Sequence, residues 1–150
     1  MAEPVSPAAS PDVLIPVVGI GASAGGLEPI GELLEGLPAR TGMAFLIVQH
    51  LDPARASMLA EILGKKTSMP VVEVAAGMSI APDHAYIIPP NTLLSLDGDT
   101  LHLQPRPEGR QPSMPVDFLF QSLAAQRGHN AVGIVLSGTG SDGTLSLIHI

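Results

Sequence analysis

The 150-residue chain has no cysteine, which excludes a disulfide framework, a thiol nucleophile and thiolate metal sites, and is compatible with a reducing compartment. It also has no Trp, one Tyr and three Phe, so the aromatic platforms on which a single-strand binder stacks bases are missing. Charge is scarce at 14% and lopsided, with 14 acids against 7 bases for a formal −7. Lys65-Lys66 is the one place where two bases adjoin, and phosphate binding needs clustered Lys and Arg, so nucleic acid is a poor partner. No apolar run reaches the roughly 20 residues of a membrane span, and no direct membrane insertion is expected.

What is present is a chain 45% apolar whose apolar runs are short and broken by 16 Gly and 15 Pro, the texture of a globular domain. Its length suits one compact domain with a core of its own. Residues 1–12 are rich in Ala, Pro and Ser, without the basic start and apolar middle of a secretory signal, and read as a disordered leader. Residues 13–150 read as one domain, with no internal repeat.

Residues 13–20 form a β-branched apolar run that suits a strand buried on both faces. Residues 27–37 carry apolar side chains at Leu27, Ile30, Leu33, Leu34 and Leu37, the spacing of a helix packed on a sheet, and Pro38 marks its end. Residues 43–48 make a second strand, and 58–63 resume helical spacing. Between 70 and 103 the pattern changes to short Val- and Ile-rich segments separated by turn signals, of which Asp97-Gly98-Asp99 suits a hairpin. Residues 106–114 read as an exposed Pro-rich loop, 116–126 as a helix, and 131–136 as a last buried strand. The fold class expected is α/β: a mostly parallel, doubly wound sheet flanked by helices, with an inserted β-hairpin region.

Three of the strands lead into polar clusters, and open α/β sheets place their sites outside the carboxyl ends of strands. The first cluster is Gly19-Ile20-Gly21-Ala22-Ser23-Ala24-Gly25-Gly26. Gly19, Gly21 and Ala24 fit a weak form of the dinucleotide fingerprint, but that reading wants an acid at the end of the second strand, where Gln49-His50 stand instead. The alternative makes Ser23 a nucleophile at a sharp turn, with backbone N–H groups of the following helix facing a developing oxyanion. An N-cap is the commoner role for Ser in such a turn.

A serine nucleophile needs a base, and His50 follows the second strand, where an adjacent parallel strand would bring it to Ser23. His84, His102, His129 and His149 read as ordinary loop or surface histidines. Asp142, in the Gly-Ser-Thr loop after the last strand, is placed to orient an imidazole, although Asp-Gly is also a common turn dipeptide.

Taken together, the 19–26 cluster, Val48-Gln49-His50-Leu51 and Leu136-Ser137-Gly138-Thr139-Gly140-Ser141-Asp142-Gly143 resemble the catalytic domain of the chemotaxis protein-glutamate methylesterase (CheB-type) family. Ile80-Ala81-Pro82-Asp83-His84-Ala85-Tyr86-Ile87, Pro89-Pro90-Asn91 and Pro115-Val116-Asp117 resemble it too, so the likeness covers about residues 13–144. It implies a catalytic triad of Ser23, His50 and Asp142, with the backbone N–H groups of Ala24 and Thr139 as oxyanion hole. It further implies a cytoplasmic bacterial serine esterase that demethylates glutamate γ-methyl esters on cytoplasmic helices of chemoreceptors and deamidates glutamine, with no metal or organic cofactor.

Two departures from the family pattern stand out. Residues 1–12 are too few for the receiver domain of regulated members, which points either to a free-standing esterase or to a fusion with a receptor methyltransferase. Residues 145–150 break the family pattern and read as a foreign tail on a domain incomplete at its C-terminus. A nucleotide-binding module and an inactive receptor-docking scaffold are the rival readings.

Overall fold

Parallel pairing starts where the backbone can first donate. Pro16 has no N–H, and strand β1 (Val17–Ala22) begins one residue later, while the Pro16 carbonyl still accepts the Ala44 N–H at 3.0 Å. The structure is a computed structural model that describes residues 14–22, 27–49, 53–106 and 114–136. After β1 come helix α1 (Leu27–Glu35), strand β2 (Ala44–Gln49), helix α2 (Pro53–Gly64), and strands β3 (Val71–Glu73) and β4 (His84–Ile87). The hairpin β5 (Thr92–Asp97) and β6 (Thr100–Pro105), helix α3 (Pro115–Arg127) and strand β7 (Ala131–Leu136) complete the described elements.

Five of these strands form one parallel sheet in the order β3-β4-β2-β1-β7, the α/β class expected from the alternating pattern. Residues 70–103, where the sequence pattern points to short Val- and Ile-rich segments and an inserted hairpin, divide between the two sheets. Strands β3 and β4 join the main sheet, and β5 and β6 pair apart from it as the antiparallel hairpin. Two other boundaries move for local reasons. The first strand runs to Ala22 rather than Ile20, because Gly19 and Gly21 continue the ladder. Helix α2 starts at Pro53, five residues before its apolar spacing begins, and proline suits a first helical turn, where no N–H partner is needed.

Side chains alternate across the pleat. Val18, Ile20, Ala22, Phe45, Ile47, Ala85 and Ile87 pack with Ile30 and Leu34 of α1 and with Leu59 and Leu63 of α2. On the opposite face Val17, Leu46, Val48 and Tyr86 pack with Leu119, Phe120 and Leu123 of α3 and with Leu94 and Leu101 of the hairpin. Each fully buried Leu, Ile or Phe here is worth roughly 1.5–3 kcal/mol relative to exposure.

Gly19 and Gly21 let α3 lie close to β1. A Cβ at Gly19 would stand 2.7 Å from Leu123 Cδ1 and 2.9 Å from Phe120 Cε1, and one at Gly21 would collide with the Val116 methyls.

Helix α3 also carries the hairpin. Ser122 Oγ accepts the Leu96 N–H at 2.8 Å and donates to the Leu96 carbonyl at 3.1 Å, and Gln126 Oε1 accepts the Gly98 N–H at 2.9 Å. The buried Arg127 donates to the carbonyls of Ile15 and Gly98, both at 2.9 Å, and to Asp99 Oδ1 at 2.6 Å. One guanidinium thus ties the segment before β1, the hairpin turn and α3 together.

At the amino end of the sheet, Asp83 takes a left-handed conformation (φ 62°). Its carboxylate accepts the N–H groups of Thr41 at 2.6 Å and Gly42 at 2.9 Å. These two backbone donors hold its pKa below the ordinary 3.8, since a carboxylate accepts such bonds better than a carboxylic acid does.

Candidate active site

Register decides what the carboxyl edge of the sheet can assemble. Ala22, the last residue of β1, is paired with Gln49, the last of β2, and on its other side with Leu136, the last of β7. The three strands therefore end level. With neighbouring strands about 4.8 Å apart, their last residues span roughly 10 Å. The strand order also reverses at β1, with α1 and α2 on one face and α3 on the other, and ligands of open α/β sheets bind at such reversals, outside the carboxyl ends.

Ser23, Ala24, His50, Thr139 and Asp142 lie outside the described residues. In the sequence Ser23 directly follows Ala22 and His50 directly follows Gln49, while Thr139 and Asp142 stand in the segment after Leu136. The strands that lead to all three polar clusters are thus immediate neighbours.

The glycines of the dinucleotide reading have another occupation. Gly19 and Gly21 sit within β1, not in a turn after it, and the space their side chains would take is filled by Leu123, Phe120 and Val116. Their smallness is accounted for by helix packing. His84 likewise has a structural role: its Nδ1 lies 2.8 Å from the Pro82 carbonyl, at the amino end of β4 and away from the edge where β1, β2 and β7 finish.

One feature was not legible in the sequence. Next to the end of β2 opens a cavity of about 290 Å³, bordered by Val48, Gln49, Ile88, Asn91, Arg106 and Pro115 among others. Arg106, expected in an exposed loop, is instead half-buried against this cavity, because its N–H extends the hairpin's bonding to the Asn91 carbonyl at 3.0 Å. The facing wall is a stiff turn: two prolines set their own φ angles, Asn91 adopts φ 59°, and Thr92 Oγ1 donates to the Pro89 carbonyl at 2.8 Å. The available signal was the isolated cation just after a strand in an acidic chain, and it is weak.

A family model described as CheB methylesterase matches residues 18–150. The chain belongs to the CheB methylesterase family. Among its relatives, the protein-glutamate methylesterase/protein-glutamine glutaminase of Yersinia pestis is 38% identical over 138 residues, covering 89% of this chain and 39% of that protein. The proteins of the same name from Photorhabdus laumondii and Escherichia coli K12 are 39% and 37% identical, over 89% and 88% of this chain and 39% of their own lengths. The chain thus spans about two fifths of the length of the curated relatives it matches.

The solved structure of the Thermotoga maritima CheB methylesterase catalytic domain superposes with a TM-score of 0.81 at 25% identity, covering 91% of this chain and 75% of that one. The family's fold and this chain's doubly wound sheet agree. Among the described residues, no helix is long and apolar enough to cross a membrane.

Proposed function

We propose that this chain carries the hydrolytic chemistry of a protein-glutamate methylesterase, with Ser23 as nucleophile, His50 as general base and Asp142 as the carboxylate that orients the imidazole. The observation that supports it most is the level ending of β1, β2 and β7 at Ala22, Gln49 and Leu136. In the sequence Ser23 and His50 come directly after two register partners on adjacent strands, and the Asp-bearing segment follows the strand on the other side of β1.

In the reaction, His50 takes the Ser23 proton as the hydroxyl oxygen attacks the γ-ester carbonyl of a glutamyl methyl ester. The backbone N–H groups of Ala24 and Thr139 hold the oxyanion, each such donor contributing about 3–4 kcal/mol of transition-state stabilisation. The C–O bond to the methoxy group breaks, and methanol leaves with the proton from His50. Water, deprotonated by His50, then attacks the acyl-enzyme; the carboxylic acid departs and Ser23 regains its proton. Asp142 stays ionised and stabilises the imidazolium. Attack on a glutamine side chain follows the same course with ammonia as leaving group, which is the deamidase activity. No metal or organic cofactor takes part.

The substrate in this reading is a methylated cytoplasmic helix of a chemoreceptor, the compartment is the bacterial cytoplasm, and the process is adaptation in chemotaxis. A receptor methyltransferase, fused or separate, supplies the ester that this enzyme removes. The test is methanol release from a methylated receptor fragment. Ser23→Ala should abolish it while the circular dichroism spectrum stays unchanged, and a serine-directed fluorophosphonate should label Ser23 alone. Turnover undiminished in purified Ser23→Ala excludes the assignment.

A further inference from the structure

The cavity beside the end of β2 has a property that ester hydrolysis does not by itself require. Of the described residues that border it, Arg106 is the one with a charge, and none is acidic. This holds in a chain whose net charge is −7, so the cation is a local feature set against the general field. The Arg106 Nε is buried and has no hydrogen-bond partner among the described residues. A buried guanidinium N–H without an acceptor is costly, and the fork geometry of the group matches a carboxylate, which can accept two parallel bonds from it.

The backbone that carries this side chain is fixed from both sides. The Arg106 N–H is bonded to the Asn91 carbonyl, and the Pro89–Thr92 turn that provides that carbonyl is itself locked by two prolines and the Thr92 hydroxyl. The side chain is thereby rooted in a stiff wall of the cavity that Gln49, the residue preceding His50 in the sequence, also borders. A methyl ester is neutral and gives a guanidinium little to bind, so the partner for Arg106 has to come from another part of the substrate.

We propose that Arg106 is a specificity residue that receives a carboxylate of the protein substrate, an acidic side chain flanking the ester-bearing glutamyl residue. The inference rests on the hydrolase reading above. It makes the enzyme select, among exposed glutamyl methyl esters, those that lie next to an acid.

The test uses the full chain with Ser23→Ala to prevent turnover, and two synthetic peptides that carry one glutamyl γ-methyl ester and differ only in a flanking Glu or Gln. Calorimetry should show the Glu-flanked peptide bound about tenfold more tightly, the scale of one charge-assisted hydrogen-bonded pair, with the preference shrinking as salt is raised. Adding Arg106→Gln should bring the ratio of the two dissociation constants to about one, and Arg106→Lys, which keeps the charge without the fork, should leave an intermediate ratio.

No preference for the acidic peptide, including no binding of either peptide, overturns the proposal, as does a preference that survives Arg106→Gln. If Arg106→Gln fails to fold, Arg106→Lys decides, and an undiminished ratio in it overturns the proposal. Methanol release is measured separately on the chain with Ser23 intact. Absence of turnover alongside an Arg106-dependent preference refutes the hydrolase reading and leaves the carboxylate site standing.

Discussion

Ala22 and Gln49 are register partners, each the last residue of its strand, in the parallel pairing of β1 with β2. In the sequence Ser23 follows the one and His50 the other, and the proposed hydrolase needs these two residues to work as a pair. Residues that work as one unit show non-additive losses. Ser23→Ala and His50→Ala should each lower methanol release at least about 10⁴-fold, with the double variant no worse than the single ones. Additive losses would mean that the two side chains act independently.

The contact between Gly21 and Val116 predicts a stability effect distinct from catalysis. Gly21→Ala places a methyl into the Val116 side chain and should destabilise the fold by about 1–3 kcal/mol through overpacking. Combining it with Val116→Ala should recover part of that loss, with a coupling of at least about 0.5 kcal/mol. Urea denaturation of the two single variants and the double variant measures it, and strictly additive losses would show that α3 does not press on β1 at this point.

Arg127 and Asp99 should respond unequally although they form one ion pair. The Arg127 side chain is 1% exposed and that of Asp99 56%. Arg127→Met removes every bond to the carbonyls of Ile15 and Gly98 and should cost about 2–4 kcal/mol, because buried acceptors lose their donor. Asp99→Asn removes one solvent-screened charge and should cost less than about 1 kcal/mol. Equal losses in thermal denaturation would place the energy in the ion pair rather than in the carbonyl bonds.

Asp83 sets a pH dependence. Its pKa in the folded chain is lowered, first by the Thr41 N–H and then by that of Gly42. A depressed folded-state pKa means that the charged form stabilises the fold above the ordinary value of 3.8, and that this contribution disappears as pH falls through the lowered value. Asp83→Asn retains an acceptor and tolerates φ > 0, yet lacks the charge. It should melt below the wild type at neutral pH, and the gap should close in acid below 3.8. A gap that persists there contradicts the carboxylate's role.

Much of this molecule is decided by local pattern. The helical spacing of Ile30, Leu33 and Leu34, the continuous apolar runs of β2 and β7, and the Gly98-centred hairpin each follow from residue periodicity and turn chemistry, and the clustering of Ser, His and Asp after strands is visible in the chain itself. What a linear pattern cannot express is which strands become neighbours. That β1 lies between β2 and β7, with all three ending level, is set by helices packing on opposite faces of one sheet.

The same limit applies at three other places. Short segments such as β3 and β4 have no periodicity of their own, and they become part of the main sheet only through parallel pairing with strands already in place. Gly19 and Gly21 look like a ligand loop until α3 is seen filling the space above them, and Arg106 looks like a solvated loop residue until its backbone bond to Asn91 draws it against the cavity. Residue type and spacing determined most of the secondary structure; strand adjacency, burial and the setting of Arg106 were decided by tertiary packing, because they depend on contacts between residues far apart in the chain.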